Sequence, residues 1–178
     1  MILGFKTHFP DGTPTDFERK ILEGEKIHTL RLGHRWKPGT PIQMANGVRT
    51  TKYRQFNKKR PDLAVCKSVQ TFWLKVSEEA PYEELKFEIL IDKARRYSSP
   101  CDFTEAPGLI STWESWERQP DPHRAAITEQ FALLAKNDGL QDVFALFDWF
   151  RPSIMAEPGQ PWERRIGGQI IHWTDFRY

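Results

Sequence analysis

The 178 residues are 39% hydrophobic and 28% charged, and seven tryptophans and twelve phenylalanines supply core anchors that a disordered chain lacks. At this length a single domain over 1–178 with a sizeable core is expected. No apolar run nears the ~20 residues that span a bilayer, and Lys6 and His8 interrupt "MILGFKTHFP" where a signal peptide keeps its apolar stretch, so a cytoplasmic protein with no membrane partner is expected.

The net charge of +2 hides a segregation. From Lys26 to Arg60 there are ten Lys/Arg, no Asp or Glu, and two histidines besides. Residues 78–92 carry six acids against Lys86 alone. One positive face and one negative edge follow. Cys66 and Cys101 stand alone in a chain with no export signal and are expected as free thiols, and no spaced Cys/His set points to a metal.

In chain order, "TPTDFERKILEGE" predicts a helix, with Thr15 and Glu18 as a capping box, Phe17, Ile21 and Leu22 on one side, and Gly24 as its stop. "TPIQMAN" (40–46), "CKSVQTFWLKVS" (66–77) and "LKFEILID" (85–92) show the short alternation of half-buried strands. From Ser98 to Pro122 four prolines break the pattern, which predicts a long loop or inserted excursion, with Trp113 and Trp116 spaced to dock on the body. "HRAAITEQFALLAKNDG" restores helical periodicity up to Gly139, and "LQDVFALFDWF" predicts another helix ending before Pro152. "GGQIIHWTDFRY" has the β-branched and aromatic content of a final strand running to the terminus. Few strands and two or three helices imply an α+β domain around a small, curved sheet or barrel.

If Gly24 closes the first helix, Lys26 to Arg31 is extended, which groups Lys26 with His28 on one side and Thr29 with Arg31 on the other unless a turn intervenes. Such density of cations and donors suits a phosphate, a carboxylate or a polarised carbonyl. "EGEKIHTLR" resembles the G-x-K-x-x-T-x-R signature of the ASCH domain, a small β-barrel family related in fold to PUA RNA-binding domains: Gly24, Lys26, Thr29 and Arg31 occupy it in order. "RWKPGTPIQMA" continues as that family does, "AKNDGLQDVFALFDWF" is similar to its acidic turn and following helix, and "GGQIIHWTDFRY" is similar to the closing strand of a phage and bacterial subgroup. The resemblance covers roughly two thirds of the chain and leaves out 93–123.

It implies a PUA-like barrel with flanking helices. Some small ASCH proteins remove the acetyl group from N4-acetylcytidine with a lysine, a threonine and a glutamate; Lys26 and Thr29 match the first two, and Asp138 stands where the family has its glutamate. A threonine hydroxyl needs a neighbouring base to attack, and a lysine desolvated among cations such as His28 and Arg31 can serve. The acid would orient or protonate the leaving amine, with Glu25 or Asp175 as alternatives. Hydrolysis of an N4-acyl amide, cleavage of single-stranded RNA as proposed for some relatives, and binding without catalysis all remain open.

Binding has its own signal. "VRTTKYRQFNKKRP" (48–61) offers Arg49, Lys52, Arg54, Lys58, Lys59 and Arg60 for phosphates, with Tyr53 and Phe56 either stacking on bases or anchoring the loop. The expected partner is therefore RNA or a modified, cytidine-type nucleoside in a basic cleft, approached along these cations. His8, His123 and His172 lack ligand spacing, and His172 is expected as a hydrogen-bonded strand residue. "GLISTWES" is no nucleophile elbow, and the lack of a P-loop or G-x-G-x-x-G excludes NTPases, kinases and nucleotide-cofactor redox enzymes, so no cofactor is expected.

Overall fold

The computed structural model describes residues 1–79, 84–92, 109–110, 132–158 and 163–178. It is an α+β fold whose backbone hydrogen bonds form two sheets. In chain order the elements are β1 (Ile2–Phe5), α1 (Phe17–Leu22), β2 (His28–Leu32), β3 (Gln43–Asn46), β4 (Arg54–Gln55), a 3-10 turn (Pro61–Leu63), β5 (Ser68–Glu79), β6 (Glu84–Ile91), β7 (Leu109–Ile110), α2 (132–137), α3 (Val143–Ala156) and β8 (Glu163–His172).

The smaller sheet has the order β1-β3-β4, with β1 parallel to β3 and β4 antiparallel to it; the larger has the order β2-β8-β5-β6-β7 and is antiparallel throughout. An isolated Pro41–Val65 bridge, reinforced by Ile42 N–H to Ala64 O at 2.7 Å and Cys66 N–H to Thr40 O at 2.9 Å, ties the entry of β3 to that of β5. The buried side chains of both sheets and the helices meet in one cluster that includes Phe5, Phe17, Leu30, Met44, Phe72, Leu146, Phe150, Ile154, Ile170 and Trp173.

β8 is the hinge of the larger sheet because it pairs with both β2 and β5. Its sequence shows why it can approach β2 so closely. A Cβ on Gly168 would stand 2.1 Å from the Arg31 carbonyl oxygen, so any side chain there would force β2 away. The two strands therefore pair His28–Leu32 directly with Gly168–His172.

Several sequence expectations change. The capping box does not form: the Thr15 hydroxyl donates to Lys6 O at 2.7 Å, Glu18 turns to Asn46 and Arg54, and Asp16 before α1 sits in the left-handed region at φ 53 with no side-chain cap. α1 is accordingly short. β1 carries no alternation signal, because Lys6 and His8 follow it at once and its partner lies some forty residues away. Within the 98–122 excursion, Leu109–Ile110 pairs with β6; Trp113, Trp116, Cys101 and His123 lie outside the described residues.

α3 does not stop before Pro152 but continues to Ala156. An internal proline costs roughly 3 kcal/mol through its missing N–H and its ring, but ending the helix there would also withdraw Ile154, which is 1% exposed, from the core. Burying a side chain of that size is worth about 1.5–3 kcal/mol, enough to offset most of the penalty. The last strand ends at His172 rather than at the terminus, and 173–178 folds back, with Tyr178 N–H donating to Gln70 Oε1 at 2.9 Å. Among the described residues no helix is long and apolar enough to cross a membrane.

Candidate functional site

The turn after α2 gathers the cations of the first half of the chain. α2 ends at Asn137, and its last carbonyls carry the negative end of the helix dipole. Three successive carbonyl oxygens accept from the other half: Asn137 O from Ile27 N–H at 3.0 Å, Asp138 O from Lys26 Nζ, and Gly139 O from Lys20 Nζ at 2.8 Å. The Lys26 ammonium also donates to Asp138 Oδ1 at 2.5 Å, and Leu30 N–H donates to the same oxygen at 3.3 Å. Gly139 permits this approach: its φ is +77°, and a Cβ there would meet Lys26 Cδ at 3.0 Å and Phe17 Cδ1 at 3.2 Å.

Lys26 is 1% exposed and Asp138 4%. The rings of Phe17 and Phe5 close over the ammonium at 4.7 and 5.9 Å to their centroids. Burial pulls the Lys26 amine down to about 8; Asp138 opposes the drop, while Arg31 and Lys20 add to it. Arg31 lies on the same ring, 5.3 Å from the Phe5 centroid, and donates to Gly4 O, and burial lowers its pKa as well.

β2 begins only at His28, with a turn and bend at 23–25 before it; Lys26 and Arg31 both lie over the Phe5 ring, and the Lys26 charge also acts on His28. Thr29 is 4% exposed and pairs with Ile171. Among the described residues its hydroxyl bonds to neither Lys26 nor Asp138, so two of the three proposed catalytic groups touch and the third lies on the adjoining strand. Glu25 is tied to Arg19 on the surface and Asp175 to Lys67 at 2.9 Å, and neither reaches Lys26.

His28 instead forms a second buried polar region. It faces His172 across the β2–β8 pair, with ring centroids 5.3 Å apart, and Ser68 on β5 continues the row. All four ring nitrogens and the Ser68 hydroxyl are buried without a hydrogen-bond partner among the described residues, contrary to the hydrogen-bonded strand residue expected at His172. Burial holds His28 well below the usual histidine range and pulls His172 to about 4. Cys66, also buried, gives its thiol to Ser68 O at 3.4 Å, and burial pushes it up to about 11. Among the described residues no three His, Cys, Asp or Glu side chains are grouped to hold a metal ion.

An open feature of the described residues lies elsewhere. A groove of about 460 Å³ runs between α1 and the β1-β3-β4 sheet. Its charges balance, Lys6, Arg19 and Arg54 against Asp16, Glu18 and Glu23, and it is a different place from the cleft expected around Lys26, Thr29 and Arg31. The positive charge lies beside it: Arg49, Lys52, Tyr53, Arg54, Lys58 and Lys59 are exposed on the 47–59 segment. Tyr53 is 43% exposed, whereas Phe56 packs inward, 5.9 Å from the Phe5 ring, so only one of the two aromatics is displayed. Arg60 is engaged with Leu22 O at 2.9 Å and with Asp62. Phe17 joins the two places, since it lines the groove and covers Lys26.

Sequence reasoning missed Lys20, Phe5, Asn46 and the groove role of Glu18. Only the Asp-Gly step at 138–139 carried a local signal, as a helix stop. No family model matches this chain, and no curated protein or solved structure matches it either.

Proposed function

We propose that the protein is an ASCH-like domain that binds single-stranded RNA or a modified, cytidine-type nucleoside, and that its two sheets, joined at the Pro41–Val65 bridge, are the halves of a PUA-like barrel. One observation carries the proposal: a nucleoside-sized groove opens beside an exposed loop of cations with Tyr53 displayed among them, and Arg54 belongs to both. Ligand pockets of ~300–1,000 Å³ are the usual range. Exposed cations on a short loop can neutralise a phosphodiester backbone, and a displayed tyrosine offers a sequence-tolerant stacking platform.

The test is anisotropy titration of labelled single-stranded RNA at several salt concentrations. Replacing Arg49, Lys52, Lys58 and Lys59 by glutamate is expected to weaken binding and to flatten its salt dependence, by about one slope unit for each phosphate no longer neutralised. Affinity and slope indifferent to all four would refute the groove and loop as the binding face.

A second reading, amide hydrolysis, is favoured by the Lys26 amine at about 8 in contact with Asp138. In its neutral form Lys26 would accept the Thr29 hydroxyl proton. The threonine oxygen then adds to the acyl carbonyl, the N4 amine leaves with that proton, and water hydrolyses the acyl-threonine. Lys26 as described is an ammonium engaged by two acceptors and covered by Phe17, so this chemistry requires that the pair separate and the ring move. Thr29→Ala is expected to abolish release of acetate from N4-acetylcytidine while leaving the melting temperature within about 2 °C of wild type; an inert wild type would remove the hydrolytic reading and leave binding intact.

A further inference from the structure

The groove has a carboxylate drawn away from its own helix by partners on the small sheet. In sequence Glu18 belongs to a capping box, but in the structure it gives up that role and reaches across to the small sheet. Asn46 Nδ2 donates to Glu18 Oε2 at 2.7 Å, and the Arg54 guanidinium donates to the same oxygen. Both bonds fall on Oε2, which leaves Oε1 as a fixed acceptor on a side chain 24% exposed in the groove wall.

α1 starts without a side-chain cap, and Asp16 before it is held in the left-handed region. Phe17 and Leu22 supply an apolar wall, and the Arg54 guanidinium, 64% exposed, lies at the rim. A planar ring could slide between them, and guanidinium planes stack on bases.

We propose that this groove is a base-reading pocket and that Glu18 selects a nucleobase carrying an exocyclic amine. A carboxylate can only accept, so it takes an amino N–H and repels a carbonyl oxygen at the same position. Cytosine and uracil separate these cases, since the first presents an amine where the second presents a carbonyl. The inference rests on the RNA- or nucleoside-binding reading above and adds the determinant of base choice.

The experiment compares oligocytidine and oligouridine of equal length, titrated against the wild-type protein and Glu18→Gln. Wild type is expected to bind oligocytidine about ten-fold more tightly, one charge-assisted hydrogen bond gained against one repulsion. Glutamine can donate as well as accept, so Glu18→Gln should bring the ratio near one. Removing a negative charge raises affinity for any polyanion, but it raises both titrations together and leaves the ratio unaffected. Equal binding by wild type, or a preference that survives Glu18→Gln, would overturn the pocket assignment while leaving RNA binding in place. Failure of either oligomer to bind at low salt would overturn the binding reading and this inference with it. The Arg54 partner of Glu18 is 64% exposed and such a pair is worth little to stability, and glutamine keeps an oxygen to accept from Asn46 Nδ2, so the variant is expected to fold.

Discussion

Lys26 and His28 are two residues apart, both are almost completely buried, and they lie in opposite kinds of surroundings. Lys26 enters a region where donors and acceptors are matched: a carboxylate, a helix-end carbonyl and two aromatic faces receive its charge. His28 enters one where two imidazoles and a hydroxyl are packed together with no hydrogen-bond partner among the described residues. A buried charge without partners would cost several kcal/mol, whereas an imidazole avoids much of that cost by staying neutral. The first region therefore depends on its partners, and the second depends on pH.

The largest effect is expected where a partner is removed from the matched region. Asp138→Ala leaves the Lys26 ammonium buried with only the residue 138 backbone carbonyl, and should lower the unfolding free energy by about 3–5 kcal/mol. The double variant Lys26→Met/Asp138→Asn removes both charges and retains a side-chain oxygen for Leu30 N–H. It is expected within about 2 kcal/mol of wild type. Urea unfolding of the two variants decides the matter: a double variant as unstable as the single would show that shape, not charge pairing, holds the α2 turn on β2.

In the unmatched region the expected effect is smaller and depends on pH. Unfolded histidine takes a proton near 6.5, while His172 resists until about 4 and burial holds His28 well below the usual histidine range. Between these values the unfolded state holds more protons, so stability falls as pH drops through the window and the contribution of His172 levels off below about 4. That contribution is at most about 3 kcal/mol. Lys26 acts on His28, and Arg177 and Asp92 act on His172 with opposite signs. Replacing both histidines by leucine should reduce the slope of stability against pH between about 6.5 and about 4. It should also raise stability at about pH 7, because the unpartnered nitrogens are gone. An unchanged slope would show that carboxylates alone drive the acid response.

The two regions also differ in how far they could be read from the sequence. The spacing of Gly24, Lys26, Thr29 and Arg31, with Asp-Gly far downstream, pointed to a set of which Lys26 and Asp138 touch and Arg31 shares the Phe5 ring with Lys26, while the Thr29 hydroxyl bonds to neither member of the pair among the described residues. Strand alternation holds only from His28 onward, because a turn and bend at 23–25 precede β2 and leave no periodic trace in the sequence. Thr15 and Glu18 failed as a cap because long-range partners, Lys6 O and Asn46, outcompeted the local ones. The stop signal of Pro152 was overridden by the burial of Ile154 two residues later, which lies in the packing rather than in the pattern. The unpartnered histidine row was invisible for the opposite reason: it arises from the register of three strands whose pairing no local signal encodes.

Tyr178 connects the two regions and gives the finest test of whether they act separately. Its ring packs edge-on against His28, with centroids 5.4 Å apart, and lies 6.3 Å from His172, while its hydroxyl accepts from Asn137 Nδ2 at 3.0 Å, one residue before Asp138. Tyr178→Phe keeps the ring over the histidines and removes only the bond to the α2 turn. The expected loss is about 1 kcal/mol at every pH between about 5 and about 8, the size of one hydrogen bond. Because the imidazoles keep their cover, the slope of stability against pH should match that of wild type. A shallower slope in the phenylalanine variant would mean that the hydroxyl, through Asn137, helps to hold the histidine region closed, and that the matched and unmatched regions open together.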